Sequence, residues 1–172
     1  MDFYINDDTA WLRKAVRWVV NIVVAIACGW FLVYGFGEQV LISGNSMQPQ
    51  LSAQDVVLMN RIIYVTGTPD RFDVVIFERE DGKKNVKRII GLPGETVQIR
   101  DSRVYIDGEP LKEDKMGEVS LAGRAADPVR LGEKEYFLLG DNRGSSEDSR
   151  FPNIGNVKRE QILGKAWFRM LP

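Results

Sequence analysis

"WVVNIVVAIACGWFLVYGF", from Trp18 to Phe36, is the longest apolar run in the chain and contains no formal charge. At about 1.5 Å per helical residue the run reaches roughly 28 Å, which is close to the hydrocarbon thickness of a bilayer. Trp18 and Tyr34 lie near its two ends, where interfacial aromatic residues are enriched. The run therefore predicts one membrane-spanning helix.

A cleaved signal peptide is an alternative, because it also carries an apolar segment near the N-terminus. "AIAC" (Ala25–Cys28) faintly resembles the processing site of a lipoprotein. The segment "GWFLVYGF" stays apolar beyond Cys28, however, whereas the apolar core of a signal peptide is shorter and ends at small residues. A spanning anchor fits the sequence better.

Basic residues lie on only one side of the apolar run. Arg13, Lys14 and Arg17 precede it, and no lysine or arginine follows until Arg61. The positive-inside rule therefore places the N-terminus in the cytoplasm and the rest of the chain on the opposite side of the membrane. We expect three segments: a cytoplasmic tail (1–17), a transmembrane helix (18–36) and an extracytoplasmic domain (37–172).

Beyond the apolar run the pattern becomes strand-like, with short β-branched segments broken by polar residues. Strands are predicted at Val56–Asn60, Arg61–Val65, Asp73–Phe77, Val86–Ile90, Glu135–Gly140 and Lys165–Leu171. The last of these, with Trp167, Phe168 and Met170, is expected to be a buried core strand, and contact with lipid is the alternative.

A hairpin is predicted over Glu95–Leu111, with "DSR" as its turn and Asp107–Gly108 as the next turn. Residues 112–130 are charged and poorly patterned, and are expected to form a surface loop or a small insert. The predicted fold class is therefore mostly β: one N-terminal transmembrane helix followed by a compact all-β domain.

The amino-acid composition excludes several kinds of partner, cross-link and catalytic group. With 172 residues, the chain has room for one domain beyond the helix, and its net charge of −1 argues against a nucleic-acid partner. The single cysteine, Cys28, excludes an intramolecular disulfide. Histidine is absent, which excludes Ser–His–Asp and Cys–His catalysis and disfavours zinc. Proton transfer must then use Lys, Asp, Glu, Tyr or a terminus, and no metal or cofactor is expected.

"ISGNSMQPQL" (Ile42–Leu51) turns the chain soon after the apolar run. Gly44 permits backbone conformations closed to other residues, and Pro49 fixes the exit direction. Such a turn can present the Ser46 hydroxyl and backbone N–H groups to a bound strand. A simple loop is the commoner interpretation of this composition, because Ser, Asn, Gly and Pro are ordinary loop residues.

"NVKRIIGLPGETV" (Asn85–Val97) places Lys87 in a strand that ends at a Leu-Pro-Gly turn. Apolar neighbours can desolvate a lysine amine, which lowers its pKa and makes the neutral form available as a base. The alternative is a solvated lysine at a sheet edge.

"GDNRGSSEDSR" (Gly140–Arg150) alternates acidic and basic residues among small ones, which predicts internal ion pairs. A calcium loop is a weak alternative, because the oxygen ligands lack the EF-hand spacing. A glycosidase-like carboxylate pair has no further feature in its favour.

These stretches resemble the motifs of the type I signal peptidases, membrane-anchored serine proteases that remove signal peptides from exported proteins. "SGNSMQPQL" resembles their serine box, "VKRIIGLPGE" their lysine box and "GDNRGSSEDSR" a third box. "RFDVVIF" (Arg71–Phe77) resembles a fourth, with Phe72 where glycine is usual. Each motif alone is weak, but the four occur in the family's order after an N-terminal anchor.

The resemblance implies a serine endopeptidase in which Ser46 is the nucleophile and Lys87 the general base of a Ser–Lys dyad. It also implies that Ser146 positions the lysine amine. The remaining implied contacts are ion pairs that brace the site: Arg88 with Asp141, and Asp148 with Arg150.

The resemblance further implies that the substrate binds as an added strand between Val40–Ser43 and Asn85–Val86. Apolar pockets for small residues before the cleaved bond, in an Ala-X-Ala-like pattern, would be formed by Ile42, Met47, Leu51 and Val86. The implied partners are the signal peptides of secreted preproteins and the lipid bilayer, with the secretion translocon as a further candidate. The implied location is the outer face of a bacterial cytoplasmic membrane.

The sequence departs from the family pattern at two further positions, and three other classes of protein are alternatives. Gly44 stands where some family members carry a serine that helps the oxyanion hole, so the second donor is open, and Gln50 replaces a frequent threonine. Self-cleaving repressors carry a DNA-binding domain that this N-terminus lacks, and β-lactamases need a Ser-x-x-Lys motif that does not occur. A non-catalytic, membrane-tethered β-domain is the alternative of another class.

Overall fold

The computed structural model describes residues 10–36, 38–112, 114 and 116–170. One long helix, α1 (Ala10–Phe36), stands at the N-terminus, and none of its most apolar window is buried by the rest of the protein. Its length, composition and position are those of a helix that crosses a membrane or of a signal sequence.

Helix α1 begins at Ala10, earlier than the predicted start at Trp18. Leu12, Lys14 and Ala15 are good helix formers, so the helix continues through the basic cluster that was assigned to the tail. The predicted tail over residues 1–17 is therefore helical from residue 10, and its residues 1–9 lie outside the described part of the chain.

Strands dominate the remainder and bear out the predicted fold class. Within the described residues they are β1 (Glu38–Leu41), β2 (Val56–Asn60), β3 (Val74–Glu78), β4 (Lys84–Gly91), β5 (Thr96–Arg100), β6 (Arg103–Ile106), β7 (Glu109–Pro110), β8 (Val129–Arg130), β9 (Glu135–Leu139), β10 (Val157–Lys158) and β11 (Ile162–Met170). A short helix, α2, spans Ile63–Thr66, and 3-10 turns span Gly123–Ala126 and Arg159–Gln161.

The strands form two antiparallel sheets. The larger has the order β1-β2-β11-β3-β4-β9-β10, and the smaller has the order β7-β6-β5-β8. In the larger sheet β3 pairs with β4 so that Val75 lies opposite Lys87. Strand β9 pairs with β4 only from Arg88 onward, so the first half of β4 is hydrogen-bonded to a strand on one side alone.

The predicted hairpin forms between β5 and β6. Its turn residues Asp101 and Ser102 have φ of 49° and 59°. Two left-handed residues in a two-residue loop match the right-handed twist of the flanking strands, and Asp and Ser are short enough to tolerate this conformation.

The core falls into clusters on the two faces of the larger sheet and between the sheets. Met47, Met59 and Ile76 form the cluster beneath the Ile42–Leu51 turn, and each has no exposed surface. The sheets meet at Gly91, where an added Cβ would lie 2.5 Å from Val97 and 2.9 Å from Phe137. Only glycine allows this close approach.

The strand predicted at Arg61–Val65 is wrong, because this segment contains α2. The Ile63 N–H donates to Asn60 Oδ1 at 3.1 Å and starts the helical turn. Tyr64 is buried, and its hydroxyl donates to Asp73 Oδ2 at 2.7 Å. A tertiary contact thus overrides the strand propensity of this β-branched segment.

Strand β11 is present, but Trp167 is 62% exposed and Phe168 is 59% exposed, so the expected burial of these side chains is wrong. The pairing register of β11 with β2 shifts between Ala166 and Phe168. This bulge interrupts the alternation and turns consecutive side chains outward. Leu171 of the predicted strand lies outside the described residues.

The described residues of the 112–130 segment include a 3-10 turn and β8, so the segment fits the predicted small insert better than a surface loop. Val119, Ala125 and Val129 of this segment are buried in the core beside the smaller sheet.

Candidate active site

The serine turn follows β1 and is anchored from below. Met47 and Leu51 of this turn are both buried. The Leu51 N–H donates to the Met47 carbonyl at 2.9 Å, which forms one helical turn. The Ser52 N–H donates to Asp55 Oδ2 at 2.6 Å, which closes the turn. Ser46 is half-buried on this turn.

Lys87 reaches the serine from β4. Its Nζ donates to Ser46 Oγ at 2.8 Å and to the Val86 carbonyl at 3.2 Å, and the residue is only 5% exposed. The structure therefore brings the two residues of the implied dyad into hydrogen-bond contact.

Burial lowers the pKa of Lys87 from its ordinary value to about 8. The opposing influence comes from the carboxylates of Asp148, Glu147 and Asp141, while the nearby Arg79 cation lowers the pKa further. Desolvation has the larger effect on the pKa, because the hydration free energy that the ammonium loses on burial exceeds its attraction to these acids. At pH 7, one unit below this pKa, roughly a tenth of the amine is neutral and able to accept a hydroxyl proton.

Arg88, the next residue in β4, holds the strand to the third motif. Its Nε and Nη2 donate to the two carboxylate oxygens of Asp141 at 2.7 and 2.6 Å. Its Nη1 donates to the Phe72 carbonyl at 2.7 Å, and its Nη2 also donates to Gln50 Oε1. Gln50, a departure from the family pattern, thus serves as an acceptor for this arginine.

Asp148 and Arg150 form the second implied pair. Arg150 donates to the Asp148 carboxylate from Nε at 2.7 Å and from Nη2 at 2.9 Å, and both residues are at most 1% exposed. Asp148 also accepts the Gly140 N–H at 3.0 Å, and Arg150 also donates to the Leu121 carbonyl at 3.0 Å. The pair fixes the shape of a loop that has no regular secondary structure.

The third motif is also tied directly to the serine turn. The Asn142 N–H donates to the Ser46 carbonyl at 3.0 Å, and its side chain donates to the Asn45 carbonyl at 3.2 Å. A Cβ on Gly140 would lie 2.5 Å from the Ser46 carbonyl oxygen, so glycine is required for this approach.

Ser146 is buried, and its hydroxyl has no hydrogen-bond partner among the described residues. The structure therefore does not form the contact with Lys87 that the resemblance implies. Its Oγ packs against Gly140, where an added Cβ would lie 2.1 Å away.

A cleft opens between the serine turn and β4. Its walls include Ser46, Lys87, the oxyanion position Gly44, and the implied substrate-binding residues Val40, Ile42, Ser43, Met47, Asn85 and Val86. Leu51 is not brought to this cleft. It lies in the core beneath the turn and borders a separate cavity beside Trp167 and Phe168.

Comparison with known proteins shows which family the chain belongs to. A sequence model of the family described as "Signal peptidase, peptidase S26" matches residues 15–171. The chain belongs to the signal peptidase family. The family predicted from the four motifs is confirmed, and with it the prediction of a serine endopeptidase.

Individual signal peptidases match over most of their length. The probable signal peptidase I-2 of Synechocystis sp. is 32% identical over 172 residues, covering 96% of this chain and 75% of the relative. Signal peptidase I T of Bacillus subtilis is 34% identical over 168 residues, covering 91% and 86%. A crystal structure of a signal peptidase I from Enterococcus faecalis has 34% sequence identity and covers 58% of this chain and 97% of that chain, with a TM-score of 0.49.

Sequence reasoning missed several polar residues of this signal peptidase site. Arg143 donates to both carboxylate oxygens of Asp114 at 2.7 and 2.6 Å and to the Gly140 carbonyl at 3.1 Å. Arg79 and Glu147 border the cleft as an ion pair with an N–O distance of 3.1 Å. Arg143 and Glu147 lie inside a quoted motif, whereas Asp114 lies in the unpatterned segment and gave no signal.

We expect Asp148→Ala to lower the free energy of unfolding by about 3–5 kcal/mol, because it leaves the Arg150 cation buried without its counter-charge. Chemical denaturation measures the change. Glu160→Ala, which removes a solvent-exposed partner of Lys134, is the control and should change stability little. Equal effects of the two substitutions would contradict a bracing role for the buried pair.

Proposed function

We propose that this signal peptidase cleaves N-terminal signal peptides from exported preproteins with Ser46 as nucleophile and Lys87 as general base. The observation that carries the proposal is the 2.8 Å contact between a buried amine and a hydroxyl at the edge of an open cleft. The absence of histidine from the chain supports a lysine base.

The proposed reaction is acyl transfer in two halves. Neutral Lys87 takes the proton of Ser46 as Oγ attacks the scissile carbonyl carbon, and the resulting ammonium returns a proton to the leaving amine. Lys87, neutral again, then takes a proton from water, which attacks the acyl-enzyme ester. The signal peptide leaves with a new carboxylate, and Ser46 recovers its proton.

Negative charge on the tetrahedral oxygen needs hydrogen-bond donors. The backbone N–H of Ser46 is the proposed first donor. Gly44 lines the cleft and supplies no side-chain donor, and no atom of the described residues lies within 4 Å of a Cβ added to it. A second donor can therefore be built in at this position without a clash.

Ser146 is the proposed acceptor for the lysine when the lysine becomes charged. Its hydroxyl is buried beside the serine turn without a partner, so it has a free acceptor site. Protonation of the Lys87 amine adds a third N–H group, which can donate to this hydroxyl. Such a bond would stabilise the charged state of Lys87 in the transition state more than the ground state.

The cleft suits an extended peptide. The outer edge of β1 and the first half of β4 each lack a strand partner on the side that faces the cleft, within the described residues. A substrate strand laid between them gains main-chain hydrogen bonds, and side chains at alternate positions enter pockets. Ile42 and Val86, both buried, line the cleft together with Ser46, and pockets formed by these apolar side chains are proposed to accept small residues before the cleaved bond.

The proposed topology follows the charge bias around α1. Residues up to 17 lie on the cytoplasmic side, the apolar part of α1 crosses the cytoplasmic membrane, and residues 37–172 lie outside. Ser46 is ten residue steps from Phe36, which span at most about 33 Å when extended. The nucleophile is thus held near the outer membrane surface, where a signal peptide leaves the bilayer or the secretion translocon.

Ser46→Ala and Lys87→Met should each reduce cleavage by at least about 10³-fold, because each removes one member of a unit that acts together. Purified variants are assayed on a preprotein, and circular dichroism checks that the fold is retained. Substantial cleavage by either folded variant would refute the dyad, and no cleavage by the unaltered enzyme would favour a non-catalytic β-domain.

The rate should depend on pH through the amine of Lys87. Since burial lowers the pKa to about 8 and the neutral form is the base, kcat/KM should rise with pH and level off above about pH 8. Below that value it should fall about tenfold for each pH unit. A profile that stays flat down to pH 6 would contradict a lysine base.

Gly44→Ser should raise kcat by up to about tenfold, because the new hydroxyl can donate to the tetrahedral oxygen in space that is now open. Gly44→Ala is the matched control, since it fills similar space without a donor and should give no gain. A lower rate for serine than for alanine would contradict an oxyanion role at this position.

A further inference from the structure

The cleft is crossed at one end by an ion pair that the proposed reaction does not use. Glu38 opens β1 and Lys84 opens β4, and their side chains pair across the space between the two strands. Glu38 also pairs with Arg61, which follows β2. The three residues join the strands that form both walls of the cleft, and we call them the entrance cluster.

The entrance cluster lies beside the end of α1. The Arg61 N–H donates to the Gly35 carbonyl at 3.1 Å, and Glu38 stands two residues after the last residue of the helix, Phe36. The reactive pair of Ser46 and Lys87 lies further along the same walls. A peptide that reaches the cleft from the side of α1 therefore passes the entrance cluster first.

The distance along β4 assigns a substrate position to this cluster. Lys84 precedes Lys87 by three residues, which is about 10 Å at the rise of a strand. If the residue just before the cleaved bond lies at Lys87, the fourth residue before that bond lies at Lys84. This assignment rests on the proposed function, because it takes the cleaved bond to lie at Ser46.

The charges of the cluster are unequal. Two cations, Arg61 and Lys84, share the single carboxylate of Glu38, so one positive charge is in surplus. Glu78, the partner of Lys84 across the β3–β4 ladder, directs its carboxylate toward Gly82, and Lys84 itself lines the cleft. The other ion pairs on this side of the cleft, Arg79 with Glu147 and Lys83 with Asp81, contain equal numbers of positive and negative charges.

The geometry points to the entrance cluster as a specificity subsite that reads the charge of the fourth substrate residue before the cleaved bond. An acidic side chain there can take Lys84 as its partner while Arg61 keeps Glu38 neutralised. A basic side chain meets the surplus positive charge instead. The subsite therefore favours acidic over neutral polar over basic side chains at this position.

Three peptide substrates test the subsite, identical except for Asp, Asn or Lys at the fourth position before the cleaved bond. The full-length enzyme in detergent micelles at low salt should cleave them in that order. The kcat/KM ratio of Asp to Lys should be about fivefold, the size expected for partly exposed charges, and should shrink as salt is added. Equal kcat/KM values for the three peptides would overturn the subsite.

Lys84→Glu should reverse the order of the three peptides, because it turns the surplus negative. Lys83→Glu is the matched control: it makes the same change of charge on the neighbouring side chain, which is 78% exposed and pairs with Asp81 outside the cleft. The control should keep the original order. Reversal in both variants, or in neither, would overturn the assignment to Lys84.

The two proposals fail in different ways. Cleavage of the Asn peptide by the unaltered enzyme, and its loss in Ser46→Ala, tests the reaction independently of charge. If that test succeeds and the three peptides are cut equally, only the subsite is refuted. If Ser46→Ala still cuts the Asn peptide, the proposed function falls, and the position assigned to Lys84 falls with it.

Discussion

The hydrogen bond between Lys87 Nζ and Ser46 Oγ is the contact on which the rest of the site depends. The site needs Lys87 to be neutral, but it also places several acids near the amine. These demands oppose each other, because a lysine close to acids tends to stay charged. Burial resolves the conflict: it is the largest influence on the pKa of Lys87 and outweighs Asp148, Glu147 and Asp141. The structure therefore keeps the acids close enough to brace the site but occupies them with their own partners.

Those partners are arginines, and each one ties a different piece of chain to the site. Arg88 joins β4 to the loop after β9 through Asp141, Arg150 pairs with Asp148 within that loop, and Arg79 pairs with Glu147. A further arginine of the loop, Arg143, pairs with Asp114. Buried ion pairs of this kind add little net stability, because desolvation offsets their attraction. Their contribution here is to specify one conformation for a loop without secondary structure, so that Asn142 and Gly140 meet the serine turn in a single register.

The local sequence pattern predicted correctly those strands and turns whose conformation depends mainly on neighbouring residues. Val56–Asn60 was predicted within its observed bounds, and the β5–β6 hairpin followed from alternation and a short polar turn. Arg61–Val65 failed because the burial of Tyr64 against Asp73 depends on residues distant in sequence. Leu51 was predicted to line the cleft but lies in the core beneath the turn. The sequence pattern of an apolar residue in a turn is the same in both cases, so it cannot distinguish them. Asp114 could not be found at all, because a carboxylate in a charged segment gives no sign of an arginine 29 positions away.

The junction between α1 and the β-domain is tight. Besides the backbone bond from Arg61, the Ile62 side chain fills the space beside Gly35, where an added Cβ would lie 2.2 Å from its terminal carbon. A junction packed in this way limits swivelling of the β-domain about the helix end, which would hold Ser46 at a fixed distance from that end. For an enzyme held in a bilayer by that helix, the junction would act as a ruler. Bonds presented nearer to or farther from the lipid would escape cutting, however well their side chains suited the pockets.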